Sequence, residues 1–351
     1  MAETRGRIIV PSPAPILPPW QQSRVEPHGR NKIQALWKGY RFRAVGRTVV
    51  WGPPKETFDE FLVRLLKHEL GKDWYFSELN EEPSNRHQIM KWIIAYHDFS
   101  KAMATDENRD GEGGWSAPPS GDVASLLWLA YDVYQCKHSL NLLPDIVRRL
   151  KKRHEFQGAR YELAVAAVLS RAGSDSQQFK LIPAEPNPSG KKCEFIAVHE
   201  PSGVRLAVEA KSRRRSGVFH EAGTLDLERA LRGDVAGLMS AALEQCPADL
   251  PSVVSIDLNS PPESISPEPS WFPDVMRMME RMGRPTPEQP DSFNALFLTN
   301  TAMHYAGSRR APLPQTVDAF PLHPRHSYPA GLMSLIYRAV ETIARIPDER
   351  F

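Results

Sequence analysis

Glu209 and Lys211 stand two residues apart in LAVEAKSRRR (residues 206–215), a run that begins apolar and β-prone and ends in arginine. Residues two apart in a strand share a face, so Ala207, Glu209 and Lys211 point one way and Leu206, Val208 and Ala210 the other. Burying Glu209 without a partner would cost on the order of several kcal/mol. A same-face lysine can pair with it, which reads most simply as an ion pair at a sheet edge. The choice of lysine is informative. From Val204 to the C-terminus the chain has fifteen arginines and one lysine, Lys211, and no other lysine in the chain has an acid two positions before it. An arginine fork cannot give up its proton, whereas a lysine is a compact charge whose pKa can shift.

The preceding segment supplies a second acid. KKCEFIAV (191–198) and VRLAVEAK (204–211) read as two strands around a HEPSG turn. A four-residue loop, Glu200-Pro201-Ser202-Gly203, pairs His199 with Val204 and runs on to Glu194 opposite Glu209. Proline suits a type I turn, and Gly203 can take the left-handed position. Directly opposed residues lie ~5 Å apart at Cβ. Two carboxylates there repel by roughly 3 kcal/mol at an effective dielectric of 20, and a cation between them reverses the sign. A three-residue loop with a glycine bulge would instead put Glu194 on the other face, opposite Ala210. A third acid lies on the helix before the hairpin, EFQGARYELAVAAVLSRAG (155–173), expected to end at Gly173. Gly158, Glu162, Ala166 and Leu169 form one stripe, which sets Glu162 among small and apolar residues. The other reading of Glu162 is a surface acid beside Arg160.

These residues sit in a chain of 351 residues, long enough for two ordinary domains, with the composition of a soluble globular protein: 25% charged, 41% hydrophobic, net charge +2. A wholly basic coat is absent, but two local blocks are basic. One is VRRLKKRHEFQGAR (147–160), with Lys151, Lys152 and Arg153; the other is Arg213, Arg214 and Arg215. Such blocks can dock phosphate, although each alone also reads as a solvated surface. No apolar run approaches the ~20 residues of a membrane helix, and the N-terminus lacks a signal-peptide core, so a cytoplasmic protein without membrane contact is expected. The three cysteines show no C-x-x-C spacing.

Residues 1–30, rich in proline, are expected to be disordered. Residues 31–150 read as a mostly helical domain. It opens with a hairpin over 40–51 turning at Val45-Gly46, followed by a helix with a Thr57/Glu60 capping box that stops at Gly71. Further helices are expected over 85–103, 123–138 and 142–153, with a loop over 105–122. His68, His87 and His97 form no H-E-x-x-H pair and read as structural or surface residues. Residues 151–310 alternate helices and strands, with buried strands at 252–259 and 294–300, one helix over 227–246 and a Met-rich helix in a Pro-rich insertion. Residues 311–351 read as an extended tail and a closing helix. The order helix, hairpin, helix, strand, strand suggests an α/β sandwich with a mixed sheet.

This order resembles the PD-(D/E)XK nuclease superfamily, whose pattern is a helix bearing an acid, a hairpin strand bearing Asp, and (D/E)-x-K on the next strand. GARYELAVAAVLSRAG resembles the helix with Glu162, CEF the first acidic strand with Glu194, and VEAK the second with Glu209 and Lys211; the similarity covers about residues 154–260. It implies a restriction endonuclease-like mixed-sheet core behind the N-terminal helical domain. It also implies Mg²⁺ (or Mn²⁺) held by Glu194, Glu209 and Glu162, with Lys211 beside the attacking water. The partner would be nucleic acid, with DNA the first expectation and RNA left open, touched by Lys151, Lys152, Arg153, Arg213, Arg214 and Arg215, and the setting DNA repair or defence. The family acid on the first strand is usually Asp and here is Glu194. The resemblance is therefore compatible with a working nuclease or with an inactive relative that binds nucleic acid or a protein, the helical domain being free to meet a protein partner.

Overall fold

The computed structural model describes residues 10–11, 34–109, 115–139, 143–172, 179–262, 270–283, 285–321 and 323–346. The chain opens with four strands, β1 (Val10–Pro11), β2 (Gln34–Trp37), β3 (Tyr40–Val45) and β4 (Thr48–Gly52). Six helices follow: α1 (Phe58–Leu70), α2 (Lys72–Asn80), α3 (Gln88–Met103), α4 (Gly121–His138), α5 (Leu143–Leu150) and α6 (Phe156–Arg171). Then come β5 (Phe179–Pro183), β6 (Phe195–His199), β7 (Val204–Ser212), α7 (Leu227–Ala230), α8 (Ala236–Gln245), β8 (Ser252–Asp257), α9 (Phe272–Arg281), β9 (Ala295–Asn300), β10 (Gln315–Ala319) and α10 (Ala330–Val340). The protein is mixed α/β.

The central sheet has seven strands in the order β1-β10-β9-β8-β7-β6-β5. β5, β6 and β7 form an antiparallel meander; β8 and β9 extend it in parallel; β10 and β1 close it antiparallel. The parallel strands need crossovers, which α7, α8 and α9 provide. β8 (SVVSID) and β9 (ALFLTN) are buried along their whole length, polar residues included, as central parallel strands covered on both faces. The alternation along β7 divides two cores. Leu206, Val208 and Ala210 join the large core with α4, α6 and α10, while Ala207 faces Cys193, Ile196 and Cys246 on the other side.

Several boundaries differ from the expectation, each for a local reason. The N-terminal hairpin turns at Gly46-Arg47, where Gly46 has φ +61°, and β2 adds a third strand to it. The capping box of α1 forms as expected: the Thr57 hydroxyl accepts from Glu60 N–H, the Glu60 carboxylate accepts from Thr57 N–H, and the helix stops at Gly71 with φ +86°. The single helix expected over 227–246 is two helices, α7 and α8. Gly233 breaks it because its backbone lies against Trp271: a Cβ there would sit 2.2 Å from the Trp271 carbonyl oxygen. Asp274 then accepts the Gly233 N–H at 2.8 Å. The tail after residue 311 contributes β10 to the sheet. Val10–Pro11, within the segment expected to be disordered, pairs with Val317 and Asp318; the rest of residues 1–30 lies outside the described residues, as do Gly173 and residues 110–114 of the expected loop. Among the described residues, no helix is long and apolar enough to cross a membrane.

α6 is the element that positions the site. It is buried on every side, so each of its charged residues needs a partner. Arg160 does not lie at the surface beside Glu162. Its guanidinium is sandwiched between Trp128 and Phe219, with ring centroids 4.9 and 5.1 Å away, and faces Asp257 at 3.6 Å. Arg171 meets Asp132 at 3.5 Å. Glu162 takes its partner from α5.

Candidate active site

The β6–β7 hairpin has the four-residue turn. His199 pairs with Val204, Phe195 with Val208, and Gly203 adopts φ +70°. The same register, continued, brings Glu194 to the level of Glu209. The ladder changes at that point. The Glu194 N–H donates to the carbonyl of Val208 at 3.1 Å, so Glu194 and Phe195 both stand against Val208, as in a β-bulge. The same N–H also reaches Oε2 of Glu209 at 3.1 Å. One backbone donor is thus shared between the ladder and a side-chain carboxylate.

Glu209 is fully buried, and Lys211 Nζ lies 2.5 Å from its Oε1. Lys211 also donates to Oε1 of Gln245, at the end of α8. Gln245 is itself held by its amide, which donates to the Lys192 carbonyl at 3.0 Å. Glu162, nearly as buried as Glu209, is met by the guanidinium of Arg149 from α5. Arg149 in turn lies 3.2 Å from Asp145 one helical turn earlier. The Glu194 side chain is near enough to Glu162 to raise its pKa.

The electrostatics follow from this crowding. Burial and then the Glu194 charge push the Glu209 pKa up to about 7, against the pull of Lys211. Burial and the Glu194 charge likewise hold Glu162 well above the usual carboxylate range, against the pull of Arg149. Three acids converge on two cations, so the cluster retains protons where exposed glutamates would have lost them. A divalent cation would supply the positive charge that those protons now supply. The donors are all carboxylate oxygens, the hard set that suits Mg²⁺ or Mn²⁺. Among the described residues no three or more His, Cys, Asp or Glu side chains are placed so that they could hold a metal ion. Glu162 and Glu209 are turned to Arg149 and Lys211, and they would have to exchange those partners for an ion.

Glu194 lies within charge reach of both Glu162 and Glu209, and Lys211 pairs with Glu209. The basic residues do not behave as one group. Arg214 is exposed (61%), with its guanidinium 3.1 Å from the His154 carbonyl and 3.6 Å from Glu221. Arg213 is largely covered and lies 3.3 Å from Asp234. Arg215 corrects the expectation of a phosphate contact: it is buried, and it donates to the carbonyls of Asn259, Leu258 and Arg229 at 2.9, 3.0 and 3.2 Å, tying the end of β7 to the segment after β8. Lys151 donates to the Leu70 carbonyl at 3.3 Å, Lys152 pairs with Glu155 at 2.7 Å, and Arg153 holds the buried Glu78 at 3.0 Å.

Arg149 and Gln245 were not singled out from the sequence. A signal existed for both. Arg149 follows the buried Ile146 at i+3 and adjoins Leu150, which puts it on the inward stripe of α5. Gln245 stands at i+3 from the buried Ala242 on α8. Comparison with protein-family models, curated proteins and solved structures finds no match.

Proposed function

We propose that the protein is a metal-dependent nuclease that hydrolyses phosphodiester bonds of nucleic acid, with DNA as the substrate class, on a restriction endonuclease-like core. One observation carries this reading. Glu162 on a buried helix and Glu209 on the second hairpin strand both have raised pKa values, the Glu194 charge acts on both, and Lys211 pairs with Glu209. That is the order of acids and lysine in the PD-(D/E)XK superfamily.

In this reading Glu194, Glu209 and Glu162 would hold Mg²⁺ or Mn²⁺, which would supply positive charge at the scissile phosphate and make water a better nucleophile near neutral pH. Lys211 orients the attacking water by donating a hydrogen bond, and it opposes the negative charge that grows on the phosphate oxygens. Gln245 is a positioning residue, since its amide oxygen fixes where the Lys211 ammonium sits. Arg149 keeps Glu162 compatible with burial until the ion arrives. Arg214, exposed beside the site, contacts backbone phosphate without reading sequence.

A second reading is favoured by a specific feature: Glu162 and Glu209 each already have a cationic partner. A nuclease fold that has exchanged its metal for internal ion pairs would bind nucleic acid or a protein without cutting. Incubating the purified protein with single-stranded and duplex DNA and RNA, in Mg²⁺, Mn²⁺ or EDTA, separates the two. The nuclease reading expects cleavage in either metal and none in EDTA. Intact substrates in every metal, with retained binding, would establish the second.

A further inference from the structure

The residues that face the acids leave a second group of cations unused. A pocket of about 390 Å³ opens between the segment leading into α3 and the loop leaving β7. Its cations come from both halves of the chain. Arg86 and Lys91 belong to the helical region, and Arg153 to the turn before α6, while His220 and Phe219 close the wall from the β7 side. Glu81 is the one acid in the lining.

The partners of these cations distinguish the pocket from an ordinary solvated face. Among the described residues Lys91 Nζ donates only to the Ser84 carbonyl, at 3.0 Å. Arg86 donates, among the same residues, only to the carbonyls of Glu81 and Leu79, at 3.1 and 3.0 Å. Among the described residues neither has a carboxylate within ion-pair distance, so their charge is oriented but not neutralised. An ammonium has three donors and a guanidinium five, which leaves both with donors to spare. The first turn of α3 adds to the positive field, since Gln88 N–H points at His220 Nε2, 3.3 Å away. The two imidazoles beside it register that field. Burial, then the charges of Arg153 and Lys91, bring His220 down to about 4, and His87 behind it, 4.6 Å from ring to ring, is down to about 3. Phe219 holds a left-handed φ of +55°, rare for a bulky residue, and so the chain accepts strain to keep this corner in place.

Two of the segments that border the pocket lead to or from the elements of the acid cluster. Arg153 leads directly into α6, which carries Glu162, and His220 lies on the loop that follows Lys211. Arg214 lies between them, against the His154 carbonyl. We propose that this pocket binds backbone phosphate of the nucleic-acid strand cut at the acid cluster, so that the helical region supplies part of the substrate groove. The identity of the strand rests on the nuclease reading; the affinity for phosphate groups does not.

The test is fluorescence anisotropy of labelled DNA and RNA, single-stranded and duplex, across a salt series in EDTA. Wild type is compared with Lys91→Gln, Arg86→Gln and the double variant, with pyrophosphate as a competing probe and thermal melts to verify folding. Cleavage is scored separately in Mg²⁺. Each folded variant is expected to bind about threefold to tenfold more weakly, with the log–log salt slope reduced by about one per cation removed. Folded variants with wild-type affinity and slope would overturn the proposal. Wild-type protein that binds pyrophosphate but no strand would overturn the strand assignment and make this a site for a small phosphate ester. Strand binding that weakens in the variants while nothing is cut would sustain the pocket and remove the nuclease reading instead.

Discussion

The backbone N–H of Glu194 donates to the carboxylate of Glu209 at 3.1 Å, and it donates equally to the Val208 carbonyl. This shared donor couples the shape of the hairpin to the charge of the site. Glu209 holds the start of β6 in its bulge, and the bulge directs the Glu194 side chain to where both Glu162 and Glu209 feel it.

The cluster should make the metal-free protein less stable as pH rises. Glu209 titrates near 7 in the folded state and near the ordinary glutamate value of 4.5 when unfolded. Between those values the folded state holds a proton that the unfolded state has released, so stability is fully present below pH 4.5 and falls until about pH 7. The shift corresponds to about 3 kcal/mol for Glu209, and Glu162 acts in the same direction. Urea denaturation from pH 4.5 to 8 should show this loss, and Glu209→Gln should flatten it. A wild-type curve that is level or rising over that range would contradict the shared burial of these acids.

Metal should reverse the loss. At a hundred times its dissociation constant, Mg²⁺ or Mn²⁺ should add ~2.7 kcal/mol at pH 7.5, and binding should release protons from the cluster. Thermal melts would show the first effect and calorimetry in buffers of different ionisation enthalpy the second. Glu209→Gln should abolish most of the gain. Equal melting shifts in wild type and variant would place the ion elsewhere.

Arg149 and Glu162 should behave as a coupled buried pair. Arg149→Ala leaves the acid buried without its cation and should cost about 3–5 kcal/mol. Glu162→Gln in the same chain should recover most of that. A double-mutant cycle with additive losses would mean that the two residues do not interact in solution.

Arg214 and Arg215 should separate. Arg215→Ala removes the guanidinium from the Leu258, Asn259 and Arg229 carbonyls, of which Asn259 keeps the Tyr305 hydroxyl, and should destabilise by about 2–4 kcal/mol, with no change in the salt slope of nucleic-acid binding. Arg214→Ala should leave stability within about 0.5 kcal/mol and lower the slope by about one. The opposite assignment in melts and binding titrations would show that burial is not what distinguishes them.

Much of the site could be read before folding because period-two alternation and a four-residue turn determine which residues share a level. Glu209 and Lys211 follow from that parity once Gly203 supplies the left-handed turn residue, whereas Glu194 is set by a bulge that the parity did not foresee. Glu162 followed from the helical stripe of α6. What could not be read depends on tertiary direction. RRR looks uniform, yet Arg215 turns inward because the end of β7 passes the carbonyls of the segment after β8. Arg149 sits in a run of surface-like cations, and only the packing of α5 on α6 turns it to Glu162. The break at Gly233 had no local signal beyond the glycine, since its cause, Trp271, lies in a later segment.

The most direct test is the single-turnover cleavage rate of nucleic acid in saturating Mg²⁺ for wild type, Glu209→Gln and Lys211→Ala. Wild type should cut in Mg²⁺ and not in EDTA. Glu209→Gln should lose cleavage together with metal-dependent stabilisation, while Lys211→Ala should keep the stabilisation and lose cleavage by orders of magnitude. Cleavage that survives in both variants, or a wild type that cuts no nucleic acid in any metal, would contradict the assignment of this cluster as the catalytic site.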